Sequence, residues 1–195
     1  MMKRIIGAVI ILALFGYTIY SVLDTSSTAK SDQHSTSEAP EGSAMTPPNA
    51  PKGLKVGEEA PDVQLETLEG EKVHLSDFRG QKVYLNFWAT WCPPCREEMP
   101  EMQQFHEEYG EEVTIIAVNA TATETGGRDK IAQYVKENGY TFKVLLDPNN
   151  DANSLFRAQA LPTTYFIGTD GTIQQAPKVG PMNMSYMKEM KEKLK

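Results

Sequence analysis

The sequence predicts an α/β protein, a three-layer α/β/α sandwich, and three observations carry that prediction. Strand-like apolar runs alternate with helix-like patterns after residue 60. The run at residues 83–88, Val-Tyr-Leu-Asn-Phe-Trp, is apolar almost throughout, as a central strand covered on both faces must be. Ahead of it, two short apolar segments flank Glu69-Gly70-Glu71, the mark of an opening β-hairpin.

The elements follow in order. Val63, Leu65 and Leu68, then Val73 and Leu75, supply the hairpin, and residues 83–88 the central strand. From Arg96 the apolar residues Met99, Met102, Phe105 and Tyr109 recur at helical spacing, which predicts a helix ending near Gly110 and kinked at Pro100. Further strands are expected at 113–118 and 142–146, with a helix between them over 128–138. A short helix near 153–157, a strand-turn-strand over 163–175 and a helix over 183–194 close the chain.

A length of 195 residues suits one catalytic domain with attachments. The net charge of -7 and the lack of long Lys or Arg runs exclude nucleic acid as a partner. Before the domain, residues 5–23 form an uncharged apolar run that would make a helix about 28 Å long, close to the roughly 30 Å of a bilayer core. Lys3 and Arg4 precede it and Asp24 follows, so the expectation is a signal-anchor at 1–23, a flexible linker at 24–53 and a domain at 54–195. The expected location is therefore the cell membrane, single-pass, with the catalytic domain on the extracytoplasmic side. A cleaved signal peptide is the competing reading, but Ser21-Val22-Leu23-Asp24-Thr25 offers no small-x-small exit.

Only two cysteines are present, Cys92 and Cys95. Two are too few for a disulfide-stapled scaffold or a structural zinc site, and nothing else in the chain points to a metal or an organic cofactor. A CxxC at the mouth of a helix that follows a strand suits dithiol exchange. Its sulfurs lie within bonding range, and the helix N-terminus stabilises a thiolate at Cys92 while Cys95, one turn in, resolves the mixed disulfide. Pro93 and Pro94 have no N–H, which leaves Cys95 as the nearest backbone donor to Cys92. The Cys92 thiolate should then be weakly stabilised, and the potential should lie nearer about -270 mV than about -120 mV, which favours a reductant.

The segment Phe87-Trp88-Ala89-Thr90-Trp91-Cys92-Pro93-Pro94-Cys95, with Leu161-Pro162-Thr163-Thr164 downstream, resembles the thioredoxin superfamily. More closely, the chain resembles its ResA/StoA type of membrane-anchored thiol-disulfide oxidoreductases (TlpA-like, AhpC-TSA), also through Val56-Gly57-Glu58-Glu59-Ala60-Pro61-Asp62 and Leu75-Ser76-Asp77-Phe78-Arg79-Gly80. The resemblance implies a thioredoxin-like sandwich with an N-terminal β-hairpin and a central helix-strand insertion. It implies a cis Pro162 packed on the cysteine pair, with Leu161 and the Thr163 backbone flanking a substrate groove. It places a glutamate at Glu98, three residues past the second cysteine, either as the acid/base for Cys95 or as a solvated acid in the first turns of the helix. Ordinary thioredoxins carry a buried aspartate where this chain has Asn86, which cannot titrate. Trp91 resembles the family's exposed tryptophan, for substrate docking or for packing. His74 and His106 are read as surface residues. Pro-Pro between the cysteines matches the StoA type rather than the ResA type, so the substrate does not transfer.

The expected function is reduction of disulfides in protein substrates, with apocytochrome c thiols or a spore-cortex factor in view and a membrane dithiol as electron donor. An oxidant or isomerase of secreted protein thiols is the alternative. A peroxiredoxin-like peroxidase is disfavoured, because Cys92 lacks a Pro-x-x-x-Thr-x-x-Cys context.

Overall fold

A computed structural model describes residues 53–195. Seven strands form one mixed sheet in the order β2-β1-β5-β4-β3-β6-β7. They are β1 (Gln64–Thr67), β2 (Lys72–His74), β3 (Lys82–Trp88), β4 (Val113–Asn119), β5 (Lys143–Leu146), β6 (Thr163–Ile167) and β7 (Ile173–Val179). The helices are α1 (Pro93–Tyr109), α2 (Gly127–Glu137), α3 (Asp151–Leu155) and α4 (Met184–Lys193). β3, β4 and β5 run parallel, while β6 and β7 are antiparallel additions on one side and the β1–β2 hairpin joins through β5 on the other. The expected hairpin and the α2–β5 insertion are both present, and the fold is a thioredoxin-like α/β sandwich.

β3 shows why an almost continuous apolar run is needed at the centre. Tyr84 and Trp88 project into one core with Met99, Met102 and Phe105 of α1, Ile131 of α2, and Met187 and Met190 of α4. Val83, Leu85 and Phe87 project to the other face, against Ile116, Phe156 and Tyr165. Period-two alternation thus buries both sides of one strand. Tyr84 anchors the first core: its ring stacks on Phe105 at 5.4 Å, and its hydroxyl donates to the Met187 carbonyl at 2.7 Å, tying β3 to α4. Asn86 is the polar interruption in this run, fully buried on the α1 face and paired across the ladder with Thr164 of β6.

α1 runs through Pro100 without a break in its assigned length. The expected short helix at 153–157 lies slightly earlier, at Asp151–Leu155, because Asp147 caps it from the preceding turn.

The expectation of a single-pass cell-membrane protein is corrected here. Among the described residues no helix is long and apolar enough to cross a membrane. α1, the longest, keeps a charged and exposed side at Arg96 and Glu97 and buries only its other side, the pattern of a helix packed on a sheet. The apolar run at 5–23 and residues 24–52 of the linker lie outside the described residues.

Candidate active site

β3 ends at Trp88 and α1 begins at Pro93, so the four residues between carry the chain from the sheet into the helix mouth. Cys92 is the N-cap residue, extended at φ -87° and ψ 108°, and the prolines occupy the first helical positions, where an N–H has no intrahelical acceptor. The Cys92 Sγ accepts the Cys95 N–H at 3.3 Å, the donor left by the two prolines. Cys92 and Cys95 are joined in a disulfide, with their Cα atoms 5.4 Å apart. Both are buried, but Cys92 lines an open groove together with Trp91, Pro93, Pro94 and Leu161, whereas Cys95 faces the core. Access, more than fractional exposure, separates the two sulfurs.

Behind the pair stands Glu98. It is 1% exposed, which rules out the solvated acid among the two sequence-based readings. Its Oε1 accepts from Asn86 Nδ2 at 2.8 Å and its Oε2 from the Met182 N–H at 2.9 Å. Burial pushes its carboxyl up to about 7, against the lowering effect of the Met182 and Asn86 hydrogen bonds. Asn86 also donates to Thr164 Oγ1 at 2.9 Å, so one amide links β3, α1 and β6 beneath the cysteines. A carboxyl that titrates near neutrality is suited to exchanging a proton with a thiol in an acid/base step.

The Leu161–Pro162 bond is cis, and the Pro162 carbonyl accepts the Gly180 N–H at 2.9 Å, which fixes the loop before β6. Leu161 reaches the groove, but Thr163 does not: it is 4% exposed, and its backbone lies between β3 and β7, opposite Phe87 and Val179. Trp91 is 53% exposed, and its indole N–H donates to Thr123 Oγ1 at 3.1 Å. His74 is exposed beside Asp62, whereas His106 is half-buried with its ring edge-on to Phe142.

One residue of the site escaped the sequence reading. Glu124 accepts the Thr90 N–H and the Thr90 hydroxyl, both at 2.5 Å, and Asn119 Nδ2 at 3.0 Å. With Thr123 on Trp91, it clamps the two residues that precede Cys92. No motif announces it, since a lone glutamate in a loop 34 positions from Thr90 has no local signature. Glu124→Ala is expected to destabilise the protein by about 1–3 kcal/mol, the cost of leaving the largely buried Thr90 donors unpaired. Urea unfolding at pH 7 checks this.

Sulfur exchange is the chemistry open to such a pair: one cysteine opens on a groove, its partner is shielded, and a proton acceptor lies in the same helix. The class so defined is the thioredoxin-like thiol-disulfide oxidoreductases. Residues 56–176 match the model of the AhpC/TSA family. Over 194 residues the chain is 34% identical to the thioredoxin-like protein YneN of Bacillus subtilis, covering all of this chain and 98% of that protein. It is 30% identical to the thiol-disulfide oxidoreductase ResA of Geobacillus thermodenitrificans, over all of this chain and 96% of that one. The crystal structure of StoA from Bacillus subtilis superposes with a TM-score of 0.59 at 30% identity, over 67% of this chain and 96% of StoA. The chain belongs to the AhpC/TSA family, and it is a thiol-disulfide oxidoreductase.

Proposed function

We propose that the domain at 54–195 works as a reductase of disulfides in protein substrates. The Cys92 thiolate attacks a substrate disulfide, forming a mixed disulfide and expelling one substrate thiolate. Cys95 then loses its proton to Glu98 and attacks the Cys92 sulfur, which releases the second substrate thiolate and leaves Cys92 and Cys95 oxidised. A dithiol protein donor restores the reduced pair by the same exchange in reverse. Pro162 holds the loop that carries Leu161, and Trp91 and Leu161 serve as the apolar contacts for the substrate. Thr163 shapes β6 and leaves docking to them.

The observation that carries the direction of flux is the single backbone N–H, that of Cys95, on the Cys92 sulfur. A thiolate with few donors is weakly stabilised, and weak stabilisation of the reduced form makes a reductant. A protein rather than a small disulfide is favoured by apolar surface at this end of the sheet. Trp91 is 53% exposed, and Val179, paired with Thr163 just past the cis bond, is 58% exposed. The resemblance to the ResA/StoA type makes apocytochrome c disulfides the first protein substrate to assay.

The test is the potential of the Cys92/Cys95 couple in the full chain, by equilibration in glutathione and dithiothreitol buffers with thiol trapping. A value near about -270 mV is expected; one near about -120 mV would make the protein an oxidant of thiols instead.

A further inference from the structure

We propose that Asn86 is a positioning residue for the resolving step: its side-chain amide holds the Glu98 carboxylate in place and in the ionised form that takes the proton of Cys95. The inference rests on the reading that Glu98 accepts that proton, and it names the residue that keeps Glu98 fit to do so. In the step concerned the Cys95 S–H proton passes to Glu98, the Cys92–Cys95 bond forms, and the substrate sulfur leaves Cys92 as a thiolate. A Glu98 already protonated takes no part.

Asn86 lies in β3, six residues before Cys92, and is fully buried. Its Nδ2 is committed twice, to Glu98 Oε1 at 2.8 Å and to Thr164 Oγ1 at 2.9 Å. Its Oδ1 is buried and has no hydrogen-bond partner among the described residues. An unpaired buried acceptor is costly, and between Leu85 and Phe87 a hydrocarbon side chain would avoid that cost. The amide supplies what a hydrocarbon cannot, a donor aimed at the acid behind the cysteines.

Glu98 receives two donors, and they differ in kind. The Met182 N–H, at 2.9 Å from Oε2, belongs to the backbone, whereas the Asn86 donor depends on one side chain. Hydrogen bonds to the charged form favour it, while burial of a carboxyl 1% exposed opposes it. Removing one of the two donors therefore moves the balance toward the protonated acid. No charged side chain enters this balance. Thr164 of β6 is neutral and joins through the Asn86 amide. On α1, Glu101 accepts the Met184 N–H at 2.7 Å, and Cys95 titrates once the disulfide is open.

The experiment measures the proton affinity of Glu98 and the rate of resolution separately. Carboxyl-carbon NMR of the oxidised full chain gives the titration midpoint of Glu98 in wild type and in Asn86→Leu. The midpoint is expected to rise by about one pH unit in the variant, since a hydrogen bond to a charged group is worth about that much or more. Stopped-flow mixing of the reduced chain with dithiobisnitrobenzoate gives two releases of thionitrobenzoate, the first from attack on the probe and the second from resolution. At pH 7, Asn86→Leu should leave the first phase unchanged and slow the second about fivefold, the fall in ionised Glu98 that such a shift produces from a midpoint of about 7. In a Glu98→Gln background the same substitution should change neither phase, whereas a loss of packing would slow both backgrounds alike. Wild type supplies a test by itself if Asn86→Leu does not fold: the Asn86 side-chain amide signals should shift at the Glu98 midpoint and stay fixed in Glu98→Gln. An unmoved midpoint in Asn86→Leu, amide signals indifferent to Glu98, or equal slowing in both backgrounds overturns the role of Asn86 and leaves that of Glu98 intact. A second phase unchanged by Glu98→Gln overturns the acid/base reading and this inference with it.

Discussion

Cys95→Ser is expected to stall the protein as covalent mixed disulfides with its substrates and to cut turnover by at least about 10³-fold. Resolution by Cys95 is intramolecular, and well-placed intramolecular groups act at effective concentrations of up to about 10⁵–10⁸ M. An external thiol in a buffer or a cell cannot replace that. Cys92 lines the groove and Cys95 does not, so Cys92→Ser is expected to be equally inactive but to form no adducts. Non-reducing electrophoresis and mass spectrometry of substrate mixtures distinguish the two variants. Adducts with Cys92→Ser and none with Cys95→Ser would reverse the assignment of nucleophile and resolving thiol.

Glu98→Gln carries the second large effect, and it has two readouts. Removing a proton acceptor from the resolving step should slow that step by about 10²-fold. It should also abolish an inflection in the pH-rate profile of the wild type near about 7, where the buried carboxyl titrates. The same shift appears in stability. The folded carboxyl is raised to about 7 from an ordinary value of 4.5, so between these pH values the unfolded chain releases a proton that the folded protein keeps. Folded molecules then bind more protons, and stability falls as pH rises through this window. Below it both states are protonated and the effect vanishes; above it the cost is constant at about 3 kcal/mol. Glu98→Gln lacks this dependence. Relative to wild type, the variant should therefore gain about 3 kcal/mol between pH 4 and pH 8, by urea unfolding of the oxidised protein. Comparing the two pH values cancels the hydrogen bonds that the substitution alters at both.

These two predictions divide between what was legible in the chain and what was not. The redox pair, its place at a strand-helix junction, and the loss of two donors at Pro93 and Pro94 are local facts, and local spacing encodes them. The alternation of strands and helices was equally legible, because a strand covered on both faces must be apolar at nearly every position. The resemblance put a glutamate three residues past Cys95, at Glu98, but could not say whether water reaches it. The Met182 N–H that meets Glu98 comes from 84 residues away, and Asn86 and Thr164 are brought together by strand pairing.

Taken alone, the sequence determined the local frame of the chemistry: two sulfurs two residues apart at a helix mouth, and a single near backbone donor for the first of them in the chain. Tertiary structure decided the environment. It buried Glu98, clamped Thr90 with Glu124, and took Thr163 into the sheet. It also gave the described domain no membrane-crossing helix, against the location expected from the N-terminal pattern. The physical reason is one of range. Bonding distance, helix capping and missing N–H groups act over one turn of chain, whereas desolvation and charge complementarity depend on elements that meet only after the sheet has formed.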